Sequence, residues 1–127
     1  MWGKLIAATA VLIIVLVVCA GAARIVLNAT ETIRFLSIRA AAAAENGETA
    51  EAESLLGELL MTLDERRPVL EVLVMHDDIN EIQSLAIEAR IQLRHGEDAD
   101  FAASMALIAE ALTVLDERQT LTIGNLF

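Results

Sequence analysis

The sequence predicts an all-α protein: an N-terminal transmembrane helix followed by a small antiparallel helical bundle, or two helical hairpins. Three observations predict this class. Leu5 to Ala23 is a run of 19 residues without a charge. Beyond it, apolar residues recur at three- and four-residue spacing, and no alternating strand pattern appears. All 19 acidic residues stand at or after Glu31, so the apolar and acidic parts are separate blocks. A chain of 127 residues is the size of one domain. The expected layout is a signal anchor over 1–27, an acidic helical bundle over 28–120 and an apolar tail over 121–127.

The uncharged run is about 28 Å long as a helix, one hydrocarbon core. Trp2 and Lys4 stand where an interfacial aromatic and a cytoplasmic positive charge belong, and Arg24 closes the run. An uncleaved anchor fits best, because Ile25, Val26 and Leu27 continue the apolar character. A cleaved signal peptide is the second reading, with Ala20-Gly21-Ala22 as its small-residue site. A lipoprotein box ending at Cys19 is the third, and Val18 is larger than that box wants. The short N-terminal side places the expected anchor N-in, with the helical domain extracytoplasmic at a bacterial cytoplasmic membrane. Arg24, Arg34 and Arg39 compete with that orientation.

Four helical segments follow from periodicity. The first runs from about Arg24 to Glu45 and is capped at Asn46-Gly47. Its stripe is Val26, Ala29, Ile33, Leu36, Ala40 and Ala43, with Cys19 and Ala22 joining it backwards. Nothing breaks the helix between Leu5 and Glu45, so the membrane helix is expected to continue into it. The second runs from about Glu48 to Leu63, with Ala52, Leu55, Leu56, Leu59, Leu60 and Leu63 inward. The third is expected to start near Arg67-Pro68, since proline suits a first turn, and to end at His95-Gly96. Val69, Val72, Leu73, His76, Ile79, Gln83, Ala86, Ile87 and Leu93 mark its expected buried side. The fourth starts at Asp98 as N-cap and runs to about Arg118, with Phe101, Met105, Ile108, Leu112 and Leu115 inward. The tail from Leu121 is short and broken by Gly124, so it is expected to be non-helical. It then folds back or engages a partner through Leu121, Ile123, Leu126 and Phe127.

Charge and composition exclude a nucleic-acid partner. After Arg39 there are 18 acidic residues against five basic ones, a net charge of −13. Such a surface repels phosphate backbones, and aromatics at 3% offer no stacking platform. A single cysteine, Cys19, rules out an intramolecular disulfide. No phosphate loop, nucleophile elbow or H-E-x-x-H motif is present. His76, Asp77, Asp78 and Glu81 form the densest polar cluster, and His76, Asp77 and Glu81 are the candidate metal ligands. A lone imidazole is a poor metal site, so the plainer reading makes His76 a core histidine and the acids solvated surface. His95 reads as a complement to a helix C-terminus, and Glu97-Asp98-Asp100 as capping rather than a calcium loop.

The C-terminal half carries a resemblance. His76-Asp77-Asp78-Ile79, Arg90, Gly96 and the ending Glu117-Arg118-Gln119-Thr120-Leu121-Thr122-Ile123-Gly124-Asn125-Leu126-Phe127 resemble an uncharacterised bacterial family, domain of unknown function 4363. That pattern places a Trp several residues before the His, and Val69 to Met75 contains none. The resemblance implies a membrane-anchored helical protein and no assigned activity.

The expected function is therefore a non-enzymatic interaction or scaffold module at the membrane, without a cofactor, with an unknown protein partner. The juxtamembrane helix is a candidate for homo-oligomer contacts, since Ala20 to Ala23 are small. The alternatives are a metal-binding sensor or enzyme using His76 and its carboxylates, or a secreted helical factor after cleavage.

Overall fold

The computed structural model describes residues 2–73 and 76–126, with side chains described for all of these except 72, 73 and 119–126. The described residues are helical apart from two short turns. The helices are α1 (Trp2–Glu45), α2 (Thr49–Leu73), α3 (His76–Arg94) and α4 (Asp98–Leu126). α1 is one unbroken helix of 44 residues, about 66 Å long. Its two halves live in different surroundings. Of residues 2–23 only Ala22 is less than exposed, whereas Val26, Ala29, Ile33, Leu36, Ala40 and Ala43 are all buried. The expected stripe thus holds from Val26 onward. Cys19 does not join it, being exposed. Among the described side chains, full burial in α1 starts at Val26.

α1 packs against α2 and α4, and α3 packs against the same two helices, so the four form a helical bundle. Phe101, Met105, Ile108 and Leu112 of α4 interlock with Leu56, Leu59 and Ile33 in its centre, all almost fully buried. Small residues let the helices approach closely: Ala40, Ala52, Ala86 and Ala89 have no exposed surface. Among the described residues, three polar side chains are also buried, Thr30, Ser37 and Ser104. Each is satisfied; Ser37 donates to the Ile33 carbonyl and Ser104 to Gln92 Oε1.

The two turns are built alike. Gly47 (φ 77°) and Gly96 (φ 72°) occupy the left-handed conformation that ends a helix without a Cβ penalty. Gly47 N donates to Ala44 O and Glu48 N to Ala43 O; Gly96 N donates to Leu93 O and Glu97 N to Gln92 O. This is the Schellman arrangement, twice. Each glutamate then starts the next helix, its carbonyl accepting from Ala52 or Phe101. The N-cap position of α4 is therefore Glu97 rather than Asp98.

The likeness extends through both helix pairs. A shift of 49 residues carries Gly47 onto Gly96, Ile33 onto Ile82, Ala40 onto Ala89, Ala52 onto Phe101, Leu56 onto Met105 and Leu63 onto Leu112. Both members of each of those five helical pairs are buried. Two copies of one helix–turn–helix plan thus share a core, although the residues filling equivalent positions differ in size.

Several further expectations fail. α2 does not end at Leu63 but continues to Leu73, with Pro68 in its interior. Pro68 cannot donate to the Asp64 carbonyl. Both residues are exposed, so the carbonyl left without a partner is open to solvent and the helix tolerates the proline. α3 consequently begins at His76, and His76 is an exposed residue rather than a core histidine. Ile87, also expected inside, is exposed, while Leu70, Ile82 and Ala89 are buried. Finally, α4 runs to Leu126, through the stretch expected as a non-helical tail. Extending a formed helix needs no new nucleus, so one glycine at 124 does not stop it.

Candidate functional site

The chain presents one extended feature and several polar ties. The extended feature is the N-terminal half of α1. It contains a window of mean hydropathy 2.9, none of it buried against the rest of the chain. Leu5, Ile6, Val11, Leu12, Ile14, Val17 and Val18 are each at least half exposed. Thr9, the only hydroxyl in this stretch, donates to the Leu5 carbonyl at 2.8 Å, so its polarity is satisfied within the helix. α1 is the one helix among the described residues long and apolar enough to cross a membrane.

The polar ties hold the helix pairs together near the end from which this segment leaves. Asp116 of α4 accepts hydrogen bonds from Thr30 Oγ1, at 3.0 Å, and from Arg34 of α1. The Arg34 and Asp116 side chains are 27% and 20% exposed, so the pair is partly withdrawn from water. Arg67 of α2 reaches across to α3, donating to Gln83 Oε1 and to Asn80 Oδ1 at 3.5 Å. It also pairs with Glu71 at 3.1 Å. The shift of 49 residues carries Arg34 onto Gln83 and Arg67 onto Asp116. The two inter-pair ties therefore occupy equivalent places, with the arginine on opposite partners. Periodicity reading misses them, because they lie at the flank of each stripe; the repeated Gly47 and Gly96 turns are the signal that locates them.

His76 sits beside Glu71, with Nδ1 3.4 Å from its carboxylate. It does not join Asp77 and Glu81 in a ligand set. Asp77 is exposed, whereas Asp78 pairs with Arg118 of α4 at 3.4 Å. Asp78, Glu81, Glu110 and Arg118 line an open groove of about 360 Å³ between α3 and α4, together with the buried Ile82 and Leu115 and the exposed Leu107 and Val114. Among the described residues, no three His, Cys, Asp or Glu side chains converge closely enough to hold a metal ion. Leu121, Ile123 and Leu126 belong to the last turns of α4, and their side chains lie outside the described ones, as does Phe127 entirely.

The opposite end of the bundle, around the two glycine turns, is acidic. There the Glu48 carboxyl is held above its usual range, chiefly by a side-chain hydrogen bond with Glu51 and then by the like charge of that group. His95 is exposed next to Gly96, at the C-terminus of α3.

No family model, curated protein or solved structure matches this chain.

Proposed function

We propose that the chain is a single-pass, membrane-anchored helical interaction module, whose apolar half of α1 crosses the bilayer and whose antiparallel bundle stands on the extracytoplasmic side. One observation carries the reading: the apolar half of α1 is exposed along its whole length and runs without a break into a packed bundle. So much bare apolar helix is incompatible with water and matches a hydrocarbon core in length. The sequence carries no recognisable nucleophile-elbow, phosphate-loop or H-E-x-x-H motif, and we read the bundle as a binding rather than a catalytic module. The resemblance to domain of unknown function 4363 supports the same picture of an anchored helical protein. Partners are sought among proteins on that side of the membrane and in a second copy of the chain.

Cleavage as a signal peptide is the second reading, and the start of the core favours it. The first fully packed residue is Val26, so a cut after Ala22 leaves every core residue in place. Membrane fractionation of a C-terminally tagged chain, with protease added outside intact cells, separates the two. A full-length, membrane-pelleted and protease-sensitive product is expected for the anchor. A soluble product shortened by residues 1–22 overturns it in favour of a secreted factor.

A further inference from the structure

Arginine is scarce in this acidic bundle, and several of its arginines meet an acid. Arg34 pairs with Asp116, Arg39 with Glu51, Arg67 with Glu71 and Arg118 with Asp78. Arg90 and Arg94 of α3 differ. Among the described residues neither side chain has an ion pair or a hydrogen bond, yet both line one cavity of about 560 Å³ between α2 and α3. Arg90 is half-buried and Arg94 exposed. The buried Leu56 and Leu93 give the cavity an apolar wall, and Thr49 and Glu53 add polar groups. Gly57 completes the lining, and a Cβ built there would meet nothing within 4 Å.

The fold itself does not call for both arginines. A cation in the last turn of a helix complements its dipole, which accounts for Arg94. Arg90 stands one turn further in, without a carboxylate. The other helix pair does without either. The shift of 49 residues carries Arg90 onto Ala41 and Arg94 onto Glu45, and carries Glu53 onto Ala102 and Gly57 onto Ala106. Ala102 is buried there, as is Ala44, the counterpart of Leu93. The α1–α4 corner is thus filled by small apolar residues. The α2–α3 corner stays open and carries two cations.

We propose that this corner is a binding site for a small monocarboxylate with an apolar body. Arg90 and Arg94 are four residues apart on one helix, so both guanidiniums can reach one carboxylate, whose two oxygens match the planar fork of arginine. Leu56 and Leu93 take the apolar body, and Glu53 accepts from a hydroxyl or amino group beside the carboxylate. The volume lies within the range of roughly 300–1,000 Å³ that small-ligand sites occupy. Arg90, Arg94 and Glu53 together leave one positive charge to be matched, which suits a monoanion rather than a phosphate dianion. Glu48, Glu51, Glu97 and Asp98 on the adjoining turns act the same way, since their field penalises every extra negative charge. The site lies wholly within the bundle, so it stands with either reading of α1.

The test uses the full chain in a nonionic detergent, with isotope-labelled arginine read by nuclear magnetic resonance. The probe is α-hydroxyisocaproate, which has a carboxylate, a neighbouring hydroxyl and a branched aliphatic body. Its uncharged amide and inorganic phosphate are the controls. The expected result is a saturable shift of the Arg90 and Arg94 Nε–H resonances with the probe, none with the amide, and an unmoved Arg66. Arg90→Gln is expected to weaken probe binding at least about tenfold, the loss of one charge-assisted hydrogen bond. Gly57→Leu fills the cavity from its α2 wall without touching a charge, and leucine is the better helix former. It is expected to abolish the shifts in a chain that stays folded. No saturable shift in the parent overturns the site, as does an equal shift of all the arginines, which marks a diffuse ionic effect. A folded Gly57→Leu chain that binds the probe like the parent overturns the cavity. Phosphate that moves the pair at lower concentration than the probe overturns the monocarboxylate. Shifts that follow chain concentration without any probe place a second copy's carboxylate there, and overturn the small ligand.

Discussion

At the residue scale, the Asp116 carboxylate has the largest expected effect outside the apolar core. It accepts from Thr30 and Arg34 and joins α4 to α1, two elements far apart in sequence. Arg34 is partly buried, and its Nε lacks a hydrogen-bond partner. Asp116→Ala leaves that guanidinium without its anion, a loss of about 1–3 kcal/mol in thermal or urea unfolding. The double change Arg34→Met with Asp116→Leu is expected to recover part of it, because two apolar groups need no partner. Gln83→Ala at the equivalent place removes a neutral acceptor and is expected to cost about 1 kcal/mol. Glu48 gives the pH-dependent counterpart. Its raised carboxyl binds protons more readily folded than unfolded. The stability it contributes is present below its ordinary value of 4.5 and is lost as pH rises through the raised value. Melting curves of the parent and Glu48→Gln between about pH 4 and pH 7 are expected to diverge in favour of the variant as pH rises. Parallel curves would mean that Glu51 does not influence Glu48.

At the element scale, Pro68 is the point where local sequence rules and the fold part company. A proline in a helix interior is about 3 kcal/mol less favourable than alanine. Because Pro68 is exposed, Pro68→Ala meets no packing obstacle. It is expected to raise the urea midpoint, with a gain of up to about 3 kcal/mol. A loss would mean that α2 needs a bend at Pro68 to meet α3. The same residue explains what could be read from the sequence. The buried stripes of α1 and α4 were legible: Val26, Ala29, Ile33, Leu36, Ala40 and Ala43, and Phe101, Met105, Ile108, Leu112 and Leu115, keep the apolar period and are all buried, whereas the exposure of Cys19 and the end of α4 at Leu126 were not. The turns at Gly47 and Gly96 were legible from the glycines alone. The α2–α3 boundary was not, because a proline reads equally as a first turn or as a tolerated interior residue. Misplacing that boundary moved His76 from an exposed helix start into an imagined core stripe. The Arg34–Asp116 and Arg67–Gln83 ties were invisible for another reason: they join residues brought together only by tertiary packing, and charge on a helix flank is ordinarily solvated surface.

At the scale of the whole molecule, the chain divides into an apolar arm and a bundle whose described core begins beyond it, at Val26. Residues 2–23 supply only the half-buried Ala22 to the packed interior, while α1 from Val26 onward supplies one of the four walls of the core. Burial, rather than helix continuity, decides which part of α1 the bundle needs, since most helix stability in proteins comes from packing an apolar face. A chain lacking residues 2–23 is therefore expected to fold into the same bundle. Its circular dichroism should remain that of a helical protein, with a single cooperative thermal transition. Burying one alanine less accounts for well under about 1 kcal/mol, so its stability should stay close to that of the full chain in detergent. A shortened chain that melts without cooperativity would show instead that the arm organises the bundle. The start of packing at Val26 would then be a poor guide to where the folding unit begins.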